Sequence, residues 1–234
     1  MLLPSSTWTR RTCLSSLLTA MAWAPAERAA VARTPTLSAP RELQTLADVA
    51  HSGQLHSILL WPDPILRKNA SPVTEFGPEV ARVALMLTRT MESRAIAAIQ
   101  YGVDAQMIVL KGQSSPEPGG RPLVLVNPTI VARSDERDMV PWREVCLVLP
   151  PGVEVDLLRD AWLSVQYQDV RGTSVTRTLR GEPARALQHE HDHLHGILIV
   201  DHAALEELPP AVQEVERPKH SERQRCAFER LVQS

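Results

Sequence analysis

Apolar residues recur at helical spacing from Pro78 to Thr90, with Val80, Val83, Ala84 and Leu87 on one side of the wheel. The spacing predicts an amphipathic helix whose first turn holds Pro78. The period then changes. Residues 106–110 read as a strand, 123–126 and 129–132 as two short strands, and 153–158, 162–168 and 173–179 as three more. A polar stretch, 112–121, holds Pro116, Pro118, Gly119 and Gly120 and reads as a loop. Helical spacing returns over 181–195, where Gly181 can open the helix and Pro183 fits its first turn, and a strand is expected over 197–200. This order predicts an α+β fold, antiparallel strands around one central helix. Residues 42–57 read as a linker or short helix, 58–205 as the main domain and 206–234 as a partly helical tail. Pro209-Pro210 marks the domain's end, and Ala227, Phe228, Leu231 and Val232 give the tail an apolar edge, read as a frayed surface helix.

Composition changes this picture mainly at the start of the chain. The 234 residues suit one domain with extensions, and 44% hydrophobic content with only 4% aromatic places the core on Leu, Val, Ile and Ala. Residues 1–41 carry Arg10, Arg11, Arg28, Arg33 and Arg41 against the single acid Glu27, as an organellar transit peptide does. A secretory signal is the rival, because Arg10-Arg11 precede an apolar run over 14–24, which is too short to span a bilayer. Without 1–41 the chain has 20 basic and 26 acidic residues, a net charge near −6, which argues against a nucleic-acid-binding face. Three cysteines, Cys13, Cys146 and Cys226, give no disulfide framework.

The predicted helix 181–195 carries the chemistry. It contains His189-Glu190-His191-Asp192-His193, an H-E-x-x-H pattern. Residues four apart share a helix face, so His189 and His193 can hold one metal ion between their rings. Glu190 lies about 100° further round, which suits a base acting on a metal-activated water. His191 faces the other way and reads as solvated, as do His195 and His202. Asp192 is expected to make a structural hydrogen bond near the His189 face. A catalytic metal needs a third protein ligand. Cys146 would complete a Cys-His-His-water tetrahedron, while Glu206 or Glu207 would give the ligand set of a zinc peptidase. Spacing does not choose between them.

A third block, Ala97-Ala98-Ile99-Gln100, precedes Tyr101-Gly102-Val103. Read in order, A-A-x-Q, E-x-C-L and Q-H-E-x-D-H-L-x-G together resemble peptide deformylase, over about residues 58–201. Residues 61–67, Val126-Asn127-Pro128 and residues 196–201 agree with the resemblance. It implies that Cys146, His189 and His193 bind one divalent metal ion, iron in preference to zinc, and that Glu190 is the general base and then the acid. Gln100 (side chain) and Leu147 (backbone N–H) would hold the oxyanion, and Glu144 would pair with Arg159. The implied reaction is hydrolysis of the N-formyl group of formylmethionyl nascent chains, releasing formate. With that substrate the leader reads as mitochondrial, with a plastid as the lesser alternative, and the tail becomes a candidate docking element for the organellar ribosome.

The chain also departs from the family pattern. Ser93 and Ala95 stand where the first motif has glycines, and Val145 and Val148 replace the glycine and serine of the second. Arg94 and Glu182 stand where the pocket for the methionine side chain is usually apolar. Arg94, Ala95, Ile96, Val145 and Glu182 are therefore the expected substrate-binding residues. An active deformylase with shifted preference and a homologue that binds modified N-termini without turnover are both consistent with this substrate-facing shell.

Overall fold

The limits of each element follow from where its apolar side chains find cover. The structure, a computed structural model, describes residues 42–135 and 138–232. The expected leader, 1–41, lies outside the described residues. Strand β1 (Gln44–Thr45) runs into α1 (Leu46–Ser52) through a capping box, Thr45 Oγ1 accepting from Asp48 N at 3.1 Å and Thr45 N donating to Asp48 Oδ2 at 3.2 Å. Helix α2 (Pro78–Thr90) has the predicted limits, and Val80, Val83, Ala84 and Leu87 are all buried.

The strands that follow are β2 (Ala95–Ala97), β3 (Val103–Asp104), β4 (Met107–Leu110), β5 (Leu123–Arg133), β6 (Met139–Val145), β7 (Glu154–Asp160), β8 (Trp162–Gln168) and β9 (Ser174–Arg180). Helices α3 (Glu182–His193), α4 (Pro210–Glu216) and α5 (His220–Val232) complete the described chain. One antiparallel sheet has the order β2-β4-β5-β8-β9, β6 and β7 form a separate hairpin, and β1 pairs in parallel with β3. Helix α3 touches β2, β4 and β9 of the sheet and β7 of the hairpin, so it is the central helix of an α+β fold.

Strand β4 shows how the core is divided. Its four apolar residues are all buried, which requires cover on both faces of the sheet. Ile108 and Leu110 pack with Leu125, Ala184 and Leu187 on the α3 side, while Met107 and Val109 pack with Val83 and Leu87 on the α2 side. The central helix is held through its small and apolar positions, which leaves its histidines free for other work.

Four expectations change. The two short strands over 123–132 are one bent strand, β5: its pairing with β8 shifts register after Val126, and Asn127 takes φ 51°. The Asn127 side chain secures the bend, bonding both the N–H and the carbonyl of Val73 at 2.8 Å. The sequence pattern predicts no strand over Met139–Val145, because the fully buried position of β6 is the charged Glu144 and the apolar–polar alternation therefore fails.

The strand expected over 197–200 is a turn of 3₁₀ helix, Ile199–His202. Gly196 bends the chain directly after α3 with φ 69°, where an added Cβ would lie 2.5 Å from Arg67 O. The Asp201 carboxylate then accepts from Leu198 N at 2.8 Å and pulls the segment round. Last, the tail is anchored as far as Ala227. Val212, Glu216, His220 and Ala227 are buried while Phe228 is exposed, and Glu216 accepts from Arg67 at 2.7 Å and from the Trp61 indole at 2.6 Å.

Candidate metal centre

Two backbone segments bring the donors together. Cys146 follows the last residue of β6, and α3 presents His189 and His193 one turn apart with ring centroids separated by 5.1 Å. The Cys146 Sγ lies 3.2 Å from His193 Nε2, and one donor atom from each of Cys146, His189 and His193 lies within 4.8 Å of the others. All three residues are buried. Glu206 and Glu207 stand exposed in the turn Leu205–Glu207, outside this group, so the peptidase ligand set expected as an alternative does not form.

A sulfur and two imidazole nitrogens converging in a buried site are the donors of a tetrahedral zinc or ferrous ion. The surroundings of the thiol favour the thiolate that ligation needs. Burial alone would raise its pKa, but the adjacent His193 and His189 hold it well below the ordinary value. The donors present therefore fit a divalent ion.

The ring of His189 is fixed from behind. Its Nδ1 meets Glu144 Oε2 at 2.9 Å, and Glu144 is held by Arg159 through two bonds of 3.0 Å, Nε to Oε1 and Nη2 to Oε2. Arg159 Nη1 donates to Asp192 Oδ2 at 2.7 Å, and His202 Nε2 reaches the same oxygen at 2.9 Å. This buried chain has strong electrostatic consequences. Burial would push the Glu144 carboxyl up, but Arg159 and His189 hold it well below the usual carboxylate range. The expected Glu144–Arg159 pair is present, and the expected Asp192 hydrogen bond is made to Arg159 and His202.

Glu190 is buried beside the triad, and its Oε2 has no hydrogen-bond partner among the described residues. Burial raises its pKa, an effect that His189 and His193 only partly offset. A carboxylate with one free oxygen and a raised pKa is equipped to take a proton from a water in the cleft. The Gln100 side chain is oriented by accepting from Ala97 N at 2.7 Å through Oε1, which leaves its amide N–H groups as the donors of that side chain.

A cleft of about 370 Å³ opens on these groups and is lined by Gln100, Cys146, Leu147, His189 and Glu190. Arg94, Ala95, Val145 and Glu182 line it too, as the sequence predicts. Ile96 is a correction. Strand alternation turns its side chain to the α2 face, where it packs among Val83, Leu87 and Val109. Arg94 and Glu182 do not bond to each other and neither is idle. Arg94 donates to Gln113, while Glu182 accepts two bonds of 2.7 Å from Arg185 and one of 2.9 Å from Ser114.

Arg185 also lines the cleft and lies over the Trp142 ring at 5.2 Å. No motif marks it in the sequence, although its spacing from Glu182 and His189 puts all three on one helix face. His191, His195 and His202 correct the expectation of solvated rings. His202 is bound to Asp192, His195 is half-buried with Nδ1 2.8 Å from His191 O, and His191 is half-buried with its ring centroid 4.6 Å from that of His195.

Comparison with known proteins agrees with this geometry. The sequence profile of the family described as polypeptide deformylase matches residues 55–208. The peptide deformylase of Thermotoga neapolitana is 35% identical over 150 residues, 63% of this chain and 86% of the relative. That of Desulforudis audaxviator is 37% identical over 149 residues, 62% of this chain and 92% of the relative. Among solved structures, the Thermotoga maritima peptide deformylase superposes with a TM-score of 0.54 at 32% identity, covering 63% of this chain and 97% of that one. The class I type b enzyme from Acinetobacter baumannii with Met-Ala-Ser bound gives 0.57 at 29% identity, covering 63% and 99%.

Proposed function

The chain belongs to the polypeptide deformylase family, and on that premise we propose that it hydrolyses the N-formyl group of formylated nascent chains with an altered side-chain preference. The observation that carries the assignment is the convergence of Cys146, His189 and His193 beside Glu190, whose Oε2 has no partner among the described residues. A divalent ion held by those three donors supplies Lewis acidity and lowers the pKa of water toward ~7. We take the ion to be ferrous iron, with zinc as the alternative that the same donors accept.

The residues divide the reaction as follows. Glu190 takes the proton of the attacking water as its oxygen bonds to the formyl carbon. The Gln100 amide and the Leu147 N–H donate to the formyl oxygen as negative charge gathers there. Glu190 then gives its proton to the departing amine, the C–N bond breaks, and formate and a free N-terminus leave. Glu144 acts on none of these atoms and keeps the His189 ring in place.

The altered preference rests on Arg94, Glu182 and Arg185 in the cleft wall. An apolar methionine side chain entering there meets three charged groups. The same wall is the ground for the second reading, a homologue that binds modified N-termini with little turnover. The site of action proposed from residues 1–41 is the mitochondrion, ahead of a plastid or a secretory route, and imaging of a full-length fluorescent fusion tests it. Helix α5 is the candidate contact with the organellar ribosome, tested by co-sedimentation. Among the described residues no helix is long and apolar enough to cross a membrane.

The decisive experiment is formate release from formyl-Met-Ala-Ser by anaerobically purified protein of known metal content. Glu190→Gln is expected to lower turnover ~10²–10⁴-fold with metal content unchanged. Metal-loaded protein that binds the peptide and releases no formate would establish the second reading in place of the first.

A further inference from the structure

Helix α3 has a second polar face that the proposed reaction does not use. Behind the metal centre, between α3, β5 and α5, lies a cavity of about 460 Å³. Its wall includes Arg133 and Thr129 of β5, His191 and His195 at the end of α3, and Glu229 and Arg230 of α5. The wall is mostly polar, so its charged groups decide what the cavity can hold.

Two of the three arginines that reach the cavity are neutralised beside it, and the third is not. Arg133 is paired with Asp160 at 2.7 Å. Arg159 also reaches the wall, and it is satisfied by Glu144 and Asp192. Arg230 is half-buried, and among the described residues its guanidinium donates no hydrogen bond and closes no ion pair. Asp192 attracts it, but that carboxylate already accepts from Arg159 and His202. Burial and the neighbouring Arg133 leave the Arg230 charge less stabilised than an ordinary guanidinium. The imidazole of His191 adds a ring without a hydrogen-bond partner among the described residues. Among the described residues of the wall the other acid is Glu229, which is exposed and lies 3.9 Å from Arg225 outside the cavity. A half-buried planar fork of donors with no acceptor among the described residues, beside a second arginine, matches a tetrahedral oxyanion.

We propose that this cavity is a binding site for a small phosphate-class oxyanion, held chiefly by the Arg230 guanidinium with support from Arg133 and His191. The volume leaves room for a small phosphomonoester as well as for inorganic phosphate, and the phosphoryl group is the shared chemistry. The site is separate from the cleft in which formyl peptide reacts, so its ligand need not compete with that substrate.

Isothermal titration of the metal-loaded full chain with inorganic phosphate and with glycerol phosphate, at constant ionic strength and in saturating Met-Ala-Ser, tests the proposal. Saturable one-to-one binding is expected for at least one of them. Preference for glycerol phosphate assigns the site to esters, and preference for inorganic phosphate to the free ion. Arg230→Ala is expected to weaken binding ~10–100-fold with formate release unchanged. Arg230→Lys, which keeps the charge and loses the fork, is expected to recover part of the affinity. Absence of saturable binding of both ligands, or affinity unchanged in Arg230→Ala, would overturn the proposal.

Discussion

At the scale of single residues, the telling position is Glu144. It is a charged side chain at 0% exposure, tied to Arg159 by two bonds and to the His189 ring by a third. Glu144→Gln removes one member of a buried ion pair and leaves Arg159 with Asp192 alone. The expected cost is ~3–5 kcal/mol in urea unfolding. The loosened His189 ring should lower metal affinity ~10–100-fold in competition with a chelator. Metal retention equal to that of the natural chain would show that His189 is oriented by something else. His189, His193 and Glu190 were readable from the H-E-x-x-H offsets alone, whereas Cys146 as third candidate donor and the Glu144–Arg159 pair were legible only through the family resemblance, because spacing leaves the third donor open. The charged cleft wall was only half readable: Arg94 and Glu182 stood out, while Arg185 did not, and their partners Gln113 and Ser114 come from a loop without a pattern. Replacing Arg94 and Glu182 together by Leu should raise kcat/KM for formyl-Met relative to formyl-Gln peptides by ~10-fold, the worth of about 1.4 kcal/mol of apolar contact. An unchanged ratio would show that the wall does not touch the substrate side chain.

At the scale of elements, legibility tracked how closely burial followed hydropathy. Helix α2 and strand β8 have the predicted limits because their apolar positions are the buried ones. Strand β6 escaped because its buried position is an acid, and 197–200 misled because an apolar run is curled by Gly196 and Asp201 rather than paired. Helix α4 was hidden for a related reason, since its anchor is another acid. Glu216 is 1% exposed and bonds Arg67, Trp61 and Arg223. Burial would raise its pKa, but Arg67 first and the Trp61 indole next hold it below the ordinary carboxylate value. A depressed folded pKa means that the contribution is complete above the unfolded value of ~4.3 and is lost as pH falls through the folded one. Glu216→Gln should therefore be least stable relative to the natural chain near neutral pH, and the gap should shrink on acidification below ~4. Paired thermal melts across that range check the sign, and a gap that widened with acid would contradict the assigned bonds.

At the scale of the whole molecule, the question is whether the last two helices belong to the domain that carries the metal centre. The sequence suggested that Pro209-Pro210 closes the domain, since prolines end elements and the following charges are mixed. In the structure Pro210 instead occupies the first turn of α4, a position where its missing N–H costs nothing. Beyond it the contacts reach back far along the chain. Glu216 reaches Arg67, His220 Nε2 lies 3.2 Å from Val200 O, and Gln224 Nε2 donates to Ala203 O at 2.9 Å. Two of these three partners, Val200 and Ala203, lie in or beside the 3₁₀ turn that follows α3, the helix that presents His189 and His193. Truncation after Pro209 removes the buried Val212 and Ala227, worth ~1.5–3 kcal/mol for a large apolar side chain and less for alanine, together with the Glu216 bonds. A loss of ~3–5 kcal/mol is expected, and for a domain of this size that lowers Tm by roughly 10 °C. Cys146, His189, His193 and Glu190 all precede the cut, so formate release well below the new Tm should persist. A frayed appendage would instead leave Tm within ~1 °C of the full chain, and that outcome would restore the boundary that the two prolines suggest.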